Sequence, residues 1–179
     1  MVNRTGKDLD RPPAFWRRWL RRLLGGARSS RSLDLSWVTP SLAVGAAFPP
    51  GTEERLVELG IGAVVDLRAE GRDDAERLSQ LGIRFLHLPT VDHAPLAVET
   101  FEQGVRWVLD QMSEGTPVLI HCAQGVGRSA TLACAVLVAS GYRPHEALHL
   151  VKLKRTQASP NARQLEALMA YVNKRRAEA

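Results

Sequence analysis

The chain has 179 residues, 45% apolar and 24% charged, a balance that excludes disordered and fibrous classes and allows one domain with a substantial core. Two cysteines are too few for a secreted disulfide scaffold and point to a reducing compartment; with five scattered histidines they make no standard zinc spacing, so no structural metal is expected. The net charge of +5 is uneven: nine Arg and Lys against two Asp give residues 1–33 a charge of +7, which leaves −2 for the remainder and speaks against general nucleic-acid binding.

The charge divides the chain into a basic segment over 1–31 and a body over 32–179. In the first, Pro12 and Pro13 open a predicted helix that Gly25 and Gly26 end. Phe15, Trp16, Trp19, Leu20, Leu23 and Leu24 make one apolar stripe, and Arg17, Arg18, Arg21 and Arg22 fall on the opposite face. Peripheral membrane contact through these aromatics and arginines is one reading; packing against the body or a partner is another. An Arg-rich targeting peptide is a third, opposed by Asp8 and Asp10. No apolar run approaches the roughly 18 residues of a spanning helix, and no secretory signal is recognised. The expected location is cytoplasmic, peripheral on a membrane surface at most.

From about Leu33, short apolar runs alternate with amphipathic stretches. Strands are predicted at Leu35–Val38, Leu42–Gly45, Ala63–Leu67, Arg84–Leu88 and Val118–His121, and helices at Glu53–Leu59, Asp73–Leu81 and Ala97–Met112. Only helices follow: Gly127–Ala139, one opened by Pro144 and running to about Lys154, and one capped by Asn161. The alternation predicts an α/β fold, a mostly parallel sheet of about five strands flanked by helices.

The chemistry concentrates in His121-Cys122-Ala123-Gln124-Gly125-Val126-Gly127-Arg128-Ser129-Ala130, between an apolar strand and a helical run. A turn there, with Gly125 and Gly127 supplying the curl, points the amides of Ala123 through Gly127 inward as an anion-binding nest, and the next helix aims its positive end at the same spot. A cysteine at the mouth of such a nest is driven toward thiolate. Arg128 offers a planar fork to two phosphoryl oxygens, and Ser129 can donate to the departing sulfur or cap the helix.

Cys-x5-Arg-Ser, preceded by His and a strand, resembles the signature loop of the protein tyrosine phosphatase superfamily, and its position late in the chain resembles the small atypical dual-specificity branch. Val64-Val65-Asp66-Leu67-Arg68 is similar to that family's central strand and turn, and Lys154-Arg155 with Ser159-Pro160-Asn161 to its closing helix pair. The likeness runs from about Leu33 to Val172. It implies a shallow pocket and a cysteinyl-phosphate reaction that needs neither metal nor organic cofactor.

The stretch Leu88–Pro95 resembles the family's general-acid loop, with Asp92 as acid; Asp66, at a strand end, is the rival and reads as structural. His93 reads as a surface residue. Gln164 lies where some members carry a water-positioning glutamine, although a polar residue on the outer face of a terminal helix is the plainer explanation. His121 is expected to support the loop through backbone hydrogen bonds, and Cys134, between Ala133 and Ala135, to be core. The substrate implied is a phosphoprotein. A phosphatidylglycerophosphate-type lipid is the alternative, and Ala123, Gln124 and Val126, none of them lysine, oppose a highly charged inositol headgroup. A non-catalytic phosphate-binding module is the remaining rival.

Overall fold

In a computed structural model the structure describes residues 33–178, so the membrane-contact reading of Phe15 through Arg22 lies outside the described residues. Five strands, β1 (Leu35–Thr39), β2 (Leu42–Ala46), β3 (Ala63–Arg68), β4 (Arg84–Thr90) and β5 (Val118–Cys122), form one sheet in the order β1-β2-β5-β3-β4. The β1–β2 pair is antiparallel, whereas β2–β5, β5–β3 and β3–β4 are parallel, which makes the sheet mostly parallel as expected. The central strand is β5, not the Val64–Arg68 run, which lies beside it. That order brings the chemical loop out of the middle of the sheet.

Side chains alternate across each strand. Val44, Val65 and Ile120 enter one core with helices α3 (Val98–Ser113), α4 (Arg128–Ala139), α5 (Pro144–Lys154) and α6 (Ala162–Ala177). Ala43, Val64 and Leu119 enter a smaller core with Leu56 of α1 (Glu54–Glu58) and Leu78 of α2 (Ala75–Gln80). Because both faces are covered, β5 reads as continuously buried, the pattern of a central parallel strand. Helix α4 is buried from Arg128 to Leu137 and places the loop's last residues at its N-terminus.

Two boundaries differ from expectation by two residues, each for a physical reason. Strand β4 runs to Thr90 rather than Leu88; it is an edge strand, and Pro89, which has no N–H to donate, is tolerated there. Helix α2 begins at Ala75 because Asp74 is its N-cap, accepting a hydrogen bond from the Arg77 amide, while Asp73 turns inward.

Candidate active site

The loop after β5 curls back toward its own cysteine. Cys122 is buried, its Sγ 3.3 Å from the Gly125 amide that donates to it and 3.4 Å from the Ser129 hydroxyl. Gly125 adopts φ +70°, and a Cβ there would collide with Arg155 and with the Gly45 backbone, so only glycine makes this turn. Burial alone raises the Cys122 pKa. The Ser129 hydroxyl, the Ser129 and Gly125 amides and the Arg128 charge together outweigh it, leaving the thiol below its ordinary value.

Arg128 is buried, yet its guanidinium reaches two loops. Its Nη1 donates to Glu70 (2.8 Å) and to the Thr90 carbonyl (2.7 Å), and its Nη2 donates to the other Glu70 oxygen (2.6 Å) and lies 2.9 Å from Asp92. The fork on Glu70 is bidentate and charge-assisted, and it holds that carboxyl at about 2. Nε of Arg128 is buried without a partner, an unsatisfied donor that an oxyanion over the sulfur would satisfy.

Asp92 follows β4 and lines, with Cys122, Gln124, Val126, Asn161 and Gln164, a cavity of about 100 Å³. Its Oδ1 accepts from the His93 amide, and His93 itself is exposed at φ +58°. The loop is held from across the cavity: Asn161 Nδ2 donates to the His93 carbonyl and Gln164 Nε2 to the Ala94 carbonyl at 3.1 Å. Asp66 is fully buried beneath the sheet's end and does not line this cavity.

Two expectations need correction. Gln164 is not on the outer face of α6; it is buried, its Oε1 accepting from the Asn161 amide while Asn161 Oδ1 accepts from the Gln164 amide. This capping box folds the glutamine back over the helix start, where its amide would meet any Cβ on Gly127. His121 leans on a carboxylate rather than on backbone: its Nε2 is 2.7 Å from Asp73 Oδ2, and its contact with the Cys122 carbonyl is a long 3.4 Å. Burial raises the Asp66 carboxyl, but hydrogen bonds from Arg68 and the charge facing it hold it below its usual value. Asp66, Asp73 and His121 are close enough to share a cation, and the Arg68 guanidinium supplies positive charge there, donating to Asp66 at 2.9 Å and Asp73 at 2.6 Å.

Sequence reasoning gave no site role to Glu70, to Asp73, read only as a helix start, or to Arg155, read only as part of the closing helix pair. No local pattern marks them, although the Asn-x-x-Gln box did carry a readable signal for Gln164. Cys134 is buried in α4 as expected.

The dual specificity phosphatase catalytic domain model matches residues 47–174. Dual specificity protein phosphatase 5 of Rattus norvegicus is 29% identical over 139 residues, covering 75% of this chain and 34% of that protein. Dual specificity protein phosphatase 22 of Mus musculus is 26% identical over 129 residues, covering 71% and 67%. The chain thus spans about a third of the rat relative's length. Among solved structures, Tk-PTP in its active form superposes with TM-score 0.74 at 28% identity, covering 79% of this chain and 97% of that one. PTPMT1 in complex with PI(5)P superposes equally well, TM-score 0.74, but at 24% identity over 79% and 96% of the two chains it bears on the fold alone. By the extent of the matching model, the chain belongs to the dual specificity phosphatase catalytic domain family.

Proposed function

We propose that this chain is a cysteine-dependent phosphatase that hydrolyses phosphomonoesters through a cysteinyl-phosphate intermediate, with phosphorylated protein as substrate. The observation that carries it is the contact of one buried sulfur with an inward amide and a hydroxyl, beside a buried arginine whose Nε is unpartnered.

The Cys122 thiolate attacks phosphorus in line, an S–P bond forming as the bond to the leaving oxygen breaks. Arg128 and the amides from Ala123 to Gly127 stabilise the equatorial oxygens, and Asp92 gives its proton to the leaving oxygen. A water then attacks phosphorus while the Asp92 carboxylate takes its proton, the S–P bond breaks, and inorganic phosphate leaves. Ser129 donates to the sulfur as negative charge returns to it. His121, set against Asp73, supports the strand end behind the cysteine, and Gln164 acts through the acid loop.

The 179-residue chain turning over para-nitrophenyl phosphate, with Cys122→Ser inactive, is the expected result; retained turnover in that variant sinks the proposal. A phosphate-binding module would bind inorganic phosphate and release none from any ester. A panel of phosphotyrosine peptide, phosphoserine peptide and a phosphatidylglycerophosphate-type lipid separates the substrate classes. The basic segment is what supports membrane contact, and sedimentation with anionic vesicles should fall when residues 1–31 are deleted.

A further inference from the structure

Each carbonyl of the turn from Ala123 to Gly127 is held from outside the nest. Ala123 accepts from the Ala47 amide at 3.1 Å, and Val126 from the Ser159 amide at 2.9 Å. Gly127 accepts from the Thr131 amide at 2.9 Å and its hydroxyl at 2.8 Å. The two carbonyls at the apex of the turn go to one side chain: Arg155 donates from Nη2 to Gln124 at 2.9 Å and from Nε to Gly125 at 2.7 Å.

A trans peptide unit is planar, so its carbonyl and the following N–H point in opposite directions. Pulling the Gln124 carbonyl outward therefore turns the Gly125 N–H inward, where it meets Cys122 Sγ. Holding the Gly125 carbonyl does the same for the Val126 N–H. A carbonyl that accepts a charge-assisted bond also polarises its peptide and strengthens the N–H on the other side.

Arg155 is itself fixed. Its side chain is fully buried, and its outer edge forks onto Asp34 at 3.0 and 3.1 Å. Gln157 also donates to both Asp34 oxygens. Asp34 precedes β1 and Arg155 follows α5, so the pair ties two remote parts of the chain to the back of the loop. A lysine, with one compact ammonium, lacks the planar fork that reaches two carbonyls and a carboxylate at once.

We propose that Arg155 is a positioning residue for the reaction: it never touches substrate, and it orients the Gly125 and Val126 amides that stabilise the Cys122 thiolate and the phosphoryl oxygens, with Asp34 setting its plane. This rests on the phosphatase reading for its consequence in turnover, but the effect on Cys122 is readable without any turnover.

The test uses the full chain, wild type, Arg155→Lys and Asp34→Asn. Three quantities are followed: the pH dependence of Cys122 alkylation by iodoacetamide, its protection by inorganic phosphate, and kcat and KM for para-nitrophenyl phosphate, with melting curves as the control for folding. For Arg155→Lys the alkylation midpoint should move to higher pH, phosphate protection should weaken about 10-fold, and kcat/KM should fall about 10²-fold. Asp34→Asn should move all three the same way by less, and it carries the test if Arg155→Lys does not fold. A folded variant that keeps the wild-type alkylation profile and phosphate protection overturns the proposal. If wild type hydrolyses no ester while Arg155→Lys still shifts the alkylation profile, the phosphatase reading falls and the positioning role stands.

Discussion

Asn161 Nδ2 donates to the carbonyl of His93 across 2.9 Å, joining the N-cap of α6 to the loop that bears Asp92. His93 is the non-glycine residue with positive φ among the described residues, a conformation that persists only where its surroundings hold it. Asn161→Ala removes the tether and the helix cap together. It should cost about 1 kcal/mol in stability, and it should slow phenyl phosphate about 10-fold more than para-nitrophenyl phosphate, because only the poorer leaving group depends heavily on a placed acid. Equal slowing of both esters would show that the tether does not place Asp92.

Glu70 and Arg128 form a second such pair, with a sign that pH can read. Glu70 is held at about 2 by the Arg128 hydrogen bonds, below the ordinary carboxylate value, so its contribution to folding is present above the ordinary value and is lost as pH falls toward about 2. The stability gap between wild type and Glu70→Gln, measured by urea unfolding, should shrink through that window. It should be modest at neutral pH, since the Glu70 side chain is 44% exposed and its interaction is screened. Inhibition by inorganic phosphate should weaken about 10-fold in Glu70→Gln as the guanidinium loses its fixed plane.

Ser129→Ala leaves the nest's backbone intact and removes the hydroxyl 3.4 Å from Cys122 Sγ. The second step, in which sulfur leaves as thiolate, should slow about 10- to 10²-fold, the worth of a hydrogen bond to a charged group. Rapid-quench kinetics should then show a burst of para-nitrophenol followed by a slow steady state. A variant without a burst and with wild-type kcat would remove Ser129 from the second step.

Asp66→Ala separates structural from catalytic carboxylates. Asp66 is fully buried and accepts from Arg68 and from the Asp73 amide, so deleting it leaves the half-buried Arg68 guanidinium with Asp73 as its remaining carboxylate and a buried N–H unmatched. About 3 kcal/mol of stability should be lost by denaturant unfolding. At a temperature where the variant remains folded, its preference among leaving groups should match wild type, whereas Asp92→Asn should change it.

Most of the fold was legible because each strand carries its own pattern. The apolar run Val118–Ile120 between turn signals predicted β5, and Pro144 and Asn161 marked the starts of α5 and α6. The reactive loop was equally legible, since its sulfur, glycines, guanidinium and hydroxyl are contiguous. The partners of that loop were not. Glu70 lies 58 residues from Arg128 in the chain, and Asp34 lies 121 residues from Arg155, separations over which charge pattern says nothing until the sheet order brings the segments together. The central strand was misread for the same reason: Ala63–Arg68 and Val118–Cys122 are both largely buried and both have neighbours on two sides, and only the full pairing order puts β5 in the middle.

Cys134 sits among alanines in α4, its thiol pushed up to about 12 by burial. Near neutral pH it is neither charged nor accessible, so a thiol-directed electrophile such as iodoacetamide meets one responsive thiol per folded chain. Mass spectrometry of intact protein should therefore count a single adduct, and a second would report unfolding rather than a second reactive centre.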